Sequence, residues 1–527
     1  MLGKCGPQGD LFDVGNVWPL KLNRRSFYGQ LAPIARHLFS DEQFAQFYSD
    51  KVGRPSVPPS RLALALILQT YEGLSDEDAV EHTAFDLRWA AVLGLKANER
   101  LCAKSTLQAF RAHLVLHDGA RSIFEVSLRT AREAGLLGKQ VRVAIDTKPI
   151  VGRGAVEDTY NLLAHGIRQV GCALASSAKM KTDKFLSRHG LGRYFAPSIK
   201  GTEVVDWTDG EQVREFLSGI VSDAVKVLSL AAESDDAYAK KSAALLDQLL
   251  LQDVEVVHTP EGDKAELIAG TAHGRVPSVT DPDQRHGRKS ASKRFTGSKA
   301  AVVTDTASGI ILATEVLPGD AGDATGALDL VLEAEANADV TIEQTLGDCA
   351  YGSGATRQEF ADAGRELLSK VPTARGHDGK FPKMAFRIDL DEQSVTCPAG
   401  VTTRKFEKSE GGAKVFSFGS ACSECPFKVQ CTSSAQGRTV QVHPQEALLA
   451  KARAFQESDV GQATLKERLA VENSLARLGW LGIGQAKYIG HEMTRFQLRL
   501  CATVANLRRI WNYSGSKSEF GAVATAA

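Results

Sequence analysis

Two β-forming stretches deliver an aspartate each. Val141-Arg142-Val143-Ala144-Ile145 is followed directly by Asp146, and Thr341-Ile342-Glu343-Gln344-Thr345-Leu346 is followed, after one glycine, by Asp348. Each strand is expected to end at its aspartate, with Cys349-Ala350-Tyr351-Gly352 turning the chain after the second. Such a pair constrains the fold, because the two carboxylates converge only if both strands lie in one sheet. Two hard oxygen donors at neighbouring strand ends are what a magnesium-dependent phosphoryl-transfer site needs.

The intervening sequence fits one mixed α/β core. SKAAVVTDT and GIILATEVL read as a hairpin about Ala307-Ser308-Gly309, and a helix at about 324–337 leads into the Asp348 strand. Residues 155–255 are mostly helical (SGIVSDAVKVLSLAAES, SAALLDQLLLQ) and read as an insertion into the sheet. Before the sheet, residues 1–135 read as helices. Pro58-Pro59-Ser60 opens RLALALILQTYEG, Gly73 breaks it, and Ser75-Asp76-Glu77-Asp78 caps DAVEHTAFDLRWAAVLG. Further helices are expected from Ser105 and over 121–137. Helix, short turn, helix is compatible with a DNA-binding helix-turn-helix and equally with any small helical bundle.

At 527 residues the chain exceeds one core and divides at about 135, 371, 445 and 513. The expected units are a helical N-terminal DNA-binding domain (1–135), the first part of the core with its insertion (136–371), a Cys-rich segment of short strands (372–445), and core helices (446–513). Those helices run from about 445 to 477 and from 492 to 511, and residues 514–527 read as a disordered tail. Lys+Arg and Asp+Glu balance at 63 each, so any nucleic-acid surface must be a local patch. The absence of a leader and of an apolar run near membrane-spanning length points to a cytoplasmic protein, nucleoid-associated when on DNA, with no membrane partner.

Two-metal phosphoryl transfer needs at least three converging carboxylates. KERLAVENSLARLGW supplies a third, with Arg468 and Glu472 at i and i+4 on one helix face. Each residue also has a plainer reading: a strand-end Asp as a turn residue, and a Glu beside an Arg as a solvated ion pair. Glu467 and Glu492 rival Glu472, while Asp305, Asp320 and Asp323 read as structural.

In order and context these residues resemble the DDE-type transposases of bacterial insertion sequences. VAIDTKPI around Asp146 and GDCAYGS around Asp348 match the contexts of the family's two aspartates, and GRGAVEDTYNLLAHGIR resembles the subgroup with a cysteine-rich insert. The resemblance covers most of residues 30–510. It implies an RNase H-like mixed-sheet core, with Asp146, Asp348 and Glu472 as catalytic residues holding two Mg²⁺ (or Mn²⁺) ions. Many relatives carry Tyr-x2-Arg-x3-Glu-x6-Lys around the glutamate. This chain keeps Arg468 and Glu472 but has Leu465 and Gly479 at the Tyr and Lys positions, leaving Lys487 as a substitute cation.

Cys397, Cys422, Cys425 and Cys431 form C-x24-C-x2-C-x5-C. Two thiolate-bearing turns suit a structural tetrahedral Zn²⁺, with an iron–sulfur cluster or independent buried thiols as the other readings. Cys349 reads as a packed core residue. Arg285, Arg288, Lys289, Lys293, Arg294 and Lys299 make the densest positive run, expected to touch DNA phosphates together with Arg468. Arg495, Arg499, Arg508 and Arg509 suggest a second positive face. Trp480 is either a base-stacking platform or core.

The function expected from the resemblance is cleavage of element ends and their joining to target DNA. The partners are double-stranded DNA, as terminal inverted repeats and target, in a homodimer or higher assembly. The alternatives are a metal-dependent nuclease without strand transfer and an inactive, transposase-derived DNA-binding protein.

Overall fold

The computed structural model describes residues 1–6, 12–17, 22–49, 53–259, 262–290, 292–372 and 379–514; the tail expected at 514–527 lies outside them except for residue 514. The main sheet holds six strands. β1 (Gln140–Val151) is central, β4 (Arg285–Arg288), β5 (Arg294–Asp305) and β6 (Ile311–Pro318) lie to one side, and β7 (Thr341–Gly347) and β8 (Glu366–Ser369) to the other. β2 (Val254–Thr259) and β3 (Gly262–Leu267) form a separate hairpin. β5 pairs antiparallel with β1, β4 and β6, whereas β7 pairs parallel with β1 and β8. The protein is thus a mixed α/β fold around a mixed sheet.

β5 is buried along nearly its whole length, which explains its run of small and β-branched residues Ala300–Val303. The expected hairpin is present, and Asp305 caps its turn by accepting from Ser308 N–H at 2.7 Å. β1 departs from expectation. It continues five residues beyond Asp146, paired there with β5 and, at Val151, bridged to Gln485, so Asp146 sits mid-strand at the point where β7 has ended.

The N-terminal helices form where their caps predict. Pro59 starts Pro59–Glu72, Gly73 ends it in the left-handed region at φ 74°, and Ser75 accepts from Asp78 N–H at 3.2 Å to start Asp76–Phe85. The single helix expected after Ser75 is two, because the Asp86 carboxylate caps a new one, Leu87–Leu93, through Arg88 N–H at 2.8 Å. Lys104–Leu116 and Gly119–Glu133 follow. Buried Leu62, Leu66, Trp89 and Phe124 belong to the same apolar cluster as Val143 and Ile145 of the sheet and Leu498 and Leu507 of the last helix. The boundary expected near 135 therefore separates elements and not cores.

Residues 159–253 do form helices, the longest being Thr159–Ser177, Gly210–Ala232 and Ala237–Asp253, around a second core that includes Leu163, Ile167, Ile220 and Leu246. Beyond the core sheet, β9 (Arg387–Asp389), β10 (Ser394–Thr396) and β11 (Thr402–Thr403) make one small sheet, and β12 (Phe406–Lys408), β13 (Lys414–Ser417) and β14 (Thr439–Val442) another. Their core is small: Phe386, Val395, Phe416, Phe418, Cys431, Val440 and Val442. The long helix expected from about 445 is three: Glu446–Glu457, Asp459–Lys466 and Leu469–Trp480. The last helix, His491–Ser514, docks on β6 through Asn506. Its side-chain amide accepts from Ile311 N–H and donates to Ile311 C=O, both at 2.8 Å. No helix among the described residues is long and apolar enough to cross a membrane.

Candidate active site

The parallel register between β1 and β7 ends at Ala144 opposite Leu346. Asp146 and Asp348 each lie two residues beyond this last paired position. Each carboxylate is held by a nearby amide. Asp146 accepts from Thr147 N–H at 2.7 Å, and Asp348 accepts from Ala350 N–H at 2.8 Å as the cap of the short turn Cys349–Tyr351. Burial pushes the Asp146 carboxyl above its ordinary range; the Thr147 amide opposes this, and the negative charges of Asp348 and Asp323 add to it.

Glu472 lies in the first turn of Leu469–Trp480, whose apolar residues Val471, Leu475 and Leu478 are buried against β1 and β5. Arg468, just before that helix, joins it to the sheet. One guanidinium nitrogen is 3.1 Å from Asp146 Oδ2, and another pairs closely with Glu472. The rivals are engaged elsewhere. Glu467 is held by Arg142 at 2.9 Å through both oxygens, and Glu492 by Arg495 at 2.5 Å.

Two further residues reach this site without having been anticipated. The Tyr351 hydroxyl is buried without a hydrogen-bond partner, and burial together with the charges of Asp146, Asp323 and Asp348 pushes it strongly up, so it stays protonated. Its ring packs where a side chain at Gly347 would sit: a Cβ there would lie 2.8 Å from Tyr351 Cβ. Asp323, read from sequence as structural, is ion-paired to Lys299 at 2.7 Å. A tyrosine and an aspartate in a turn carry no sequence signal that separates these roles from packing.

The basic segment divides. Arg288, Lys289, Lys293 and Arg294 are exposed at the end of the β4–β5 hairpin. Arg285 instead donates to the carbonyls of Pro282 at 2.5 Å and Gln284 at 2.7 Å. Lys299 corrects the expectation of a loop cation: it is buried, and its ammonium is occupied by Asp323 and the Ala321 carbonyl. Arg468 likewise faces carboxylates in place of open solvent. The arginines of the last helix are internal ties. Arg495 pairs with Glu315 at 2.7 Å, Arg499 is buried against Asp118, and Arg509 donates to the Ser308 carbonyl at 2.6 Å. Trp480 is 61% exposed, with the Arg508 guanidinium 4.4 Å from its ring centre. Cys349 is exposed, correcting the core reading; with Lys370, Gln456, Leu465 and Lys466 it lines a groove of about 670 Å³ beside Asp348.

Cys397, Cys422, Cys425 and Cys431 converge on one small cavity, of about 20 Å³, in the Cys-rich segment. Burial raises the Cys431 thiol; Arg438 opposes this, and the other three cysteines add to it. Cys422 Sγ also accepts from Arg438 N–H at 3.4 Å. Four thiols around one void, with a backbone donor and a cation nearby, are the donor chemistry of a thiolate-bound metal, but no three of them lie within 4.8 Å of one another. Among the described residues, the one set of three His, Cys or carboxylate ligand atoms all within 4.8 Å of one another is elsewhere, Glu72, His82 and Asp86 in the N-terminal helices. At the sheet, the oxygen-only donor set, the mutual repulsion of Asp146 and Asp348 and the orphaned Tyr351 hydroxyl fit a hard divalent cation.

Comparison with known families gives two matches. The family described as "Transposase DDE domain" matches residues 396–511, spanning the four cysteines, Arg468 and Glu472, and the family described as "Transposase domain" matches residues 20–113, the first helices. Asp146 and Asp348 lie between the matched stretches. No curated protein and no solved structure matches. A DDE domain implies an enzyme of the nuclease or transferase kind, DNA as its substrate and divalent metal ions as its cofactors. The two matches, set at opposite ends of one chain, indicate a DDE-type insertion-sequence transposase.

Proposed function

We propose that the protein cleaves the ends of a DNA element and joins them to target DNA by phosphoryl transfer at Asp146, Asp348 and Glu472. One observation carries this reading. Arg468 contacts both Asp146 and Glu472 while the charge of Asp348 acts on Asp146, which supports a site shared by three carboxylates distant in sequence. The strand order β6-β5-β1-β7-β8, antiparallel on one side of β1 and parallel on the other, supports an RNase H-like core. The Cys-rich segment is then an insertion between β8 and the helix carrying Glu472.

In this reading Asp146 and Asp348, each fixed by a backbone amide, hold hard cations on the sheet side, and Glu472 closes the site from its helix. When bound, two Mg²⁺ or Mn²⁺ ions would supply charge for the attacking and leaving oxygens. Arg468 keeps the Glu472 helix against β1 and balances the carboxylates before DNA arrives. Tyr351 closes the floor and excludes water. The exposed Arg288, Lys289, Lys293 and Arg294 take the DNA backbone, the first helices take the terminal inverted repeats, and a Zn²⁺ held by Cys397, Cys422, Cys425 and Cys431 staples the insertion. Two ends handled together require a dimer or higher assembly on DNA.

The test is a strand-transfer assay with a pre-cleaved, 3′-hydroxyl-ended duplex in Mg²⁺. Joining supports a transposase, cutting without joining supports the nuclease alternative, and DNA binding with neither supports the inactive descendant.

A further inference from the structure

Glu72, His82 and Asp86 come from three successive helices. Glu72 ends Pro59–Glu72, His82 lies in the last turn of Asp76–Phe85, and Asp86 caps Leu87–Leu93. One donor atom of each lies within 4.8 Å of the other two. The imidazole Nδ1 of His82 is 3.6 Å from Glu72 Oε2 and 3.8 Å from Asp86 Oδ2. Both separations are too long for hydrogen bonds. They are close to those of two ligands on one tetrahedral ion, which at bond lengths of about 2.1 Å stand about 3.4 Å apart.

Two observations point to a ligand here. His82 Nδ1 is shut off from solvent and has no hydrogen-bond partner, although it faces two carboxylate oxygens. A buried ring nitrogen left in that state is costly. The carboxylates, for their part, are held through their other oxygens. Glu72 Oε1 accepts from Trp89 Nε1 at 2.6 Å and from the Tyr28 hydroxyl, which leaves Oε2 turned to His82. Asp86 Oδ1 accepts from the Arg88 amide at 2.8 Å and from Arg88 Nε at 3.0 Å. Outer bonds of this kind orient the ligands of metal ions. Arg88 also reaches Asp86 Oδ2, at 2.5 Å, from a half-exposed side chain, so an ion would share that oxygen with it. With His82 neutral, two carboxylates and one guanidinium leave a net negative charge for a cation to offset.

We propose that Glu72, His82 and Asp86 bind a divalent transition-metal ion, of which Zn²⁺ is the type, and that the ion ties these three helices together. An imidazole beside two carboxylates suits zinc and its neighbours better than Mg²⁺. Three protein ligands leave the fourth position to water, and the His82 side chain, 33% exposed, opens that side to solvent. The role is structural: the ion pins the point at which Asp86 divides one helical run into two. The site is distinct from the carboxylates at the sheet and from the cysteine cavity, and it does not depend on the proposed function.

The experiment counts the zinc ions that the full chain binds at equilibrium dialysis, for the parent, His82→Gln and Asp86→Asn, each also in a Cys425→Ser background. Each variant should bind one ion fewer than its parent in both backgrounds, because independent sites lose their ions independently. Asp86→Asn guards against a loss through misfolding. Asparagine caps a helix as well as aspartate does and keeps an oxygen for the Arg88 amide, but it brings no negative charge to the ion. Zinc should also raise the thermal midpoint of the parent by more than that of either variant, since an ion held only by the folded state stabilises it. Unchanged ion counts, equal rises in midpoint, or a loss that vanishes in the Cys425→Ser background would overturn the site and leave the three side chains as an ion-pair cluster.

Discussion

Arg468 reaches Asp146, 322 residues away in sequence, with a guanidinium nitrogen 3.1 Å from Oδ2. It pairs with Glu472 at the same time, and so occupies the gap between the strand carboxylate and the helix carboxylate. A cation in that gap makes the same contacts that a metal ion would use.

Replacing Arg468 by alanine should therefore tighten divalent-ion binding at the site while lowering cleavage. Removing one positive charge at about 4 Å in a solvated setting is worth about 1 kcal/mol, or roughly fivefold in affinity. Mn²⁺ titration followed by electron paramagnetic resonance reads this directly. Weaker Mn²⁺ binding in Arg468→Ala would show that the arginine supports the ion instead of competing with it.

Asp348→Ala should abolish cleavage and leave DNA binding in place, since Asp348 is half-exposed and its carboxylate's bond from Ala350 N–H only caps a three-residue turn. Gel-shift and nicking assays on the same preparation separate the two effects. Residual cutting in the variant would remove Asp348 from the chemistry.

The N-terminal helices carry an acid-sensitive tie. Burial resists ionisation of Asp76, but hydrogen bonds from Arg111, Gln69 and Gln108 outweigh it and hold the carboxyl down, from 3.8 to about 2. A depressed carboxylate stabilises the fold fully above its unfolded value and loses that contribution as pH falls through the folded value. Stability should thus decline as pH drops from 3.8 towards 2, by of order 1 kcal/mol once solvent screening is allowed for. Urea unfolding of the parent and of Asp76→Asn across that range tests it: the variant should lack this component, and parallel curves would refute it.

Removal of the metal should loosen the Cys-rich segment before the rest of the protein. Its core is small, with Val395, Phe416 and Val440 its most deeply buried residues, too little for independent stability. Cys425→Ser should cost one equivalent of zinc by elemental analysis and speed proteolysis within residues 379–442. Unchanged zinc content would favour independent thiols.

Asn506 should prove one of the costliest single sites outside the catalytic region. It is fully buried, serves both backbone groups of Ile311 and donates to Ser127 Oγ at 3.1 Å. Asn506→Leu leaves these groups unpaired, so a loss of about 3 kcal/mol is expected from urea denaturation. A loss below about 1 kcal/mol would mean that water or a local shift re-satisfies Ile311.

Much of the fold was legible in local pattern. The strand core Val141–Ile145, the hairpin at Ala307-Ser308-Gly309 and the helix caps at Ser75 and Gly73 follow from β-branched runs and from residues with strong local preferences. Less legible were features set by partners distant in sequence. Nothing local indicates that β1 outlasts its pairing with β7, that Asp86 divides a helix, or that the arginines of the last helix face inward to Glu315, Asp118 and the Ser308 carbonyl. An arginine reads the same in a pattern whether it meets solvent or a buried acid.

The sequence by itself determined which groups exist and in what order: two aspartates after β-forming stretches, a glutamate four residues after an arginine, and four cysteines in one segment. These are local properties of the chain. Only the tertiary structure decided which cations remain free. Burial gave Lys299 to Asp323 and Arg468 to two carboxylates, and it left Arg288, Lys289, Lys293 and Arg294 exposed at the end of a hairpin. Charge pairing depends on which side chains meet after folding, and spacing along the chain does not encode that.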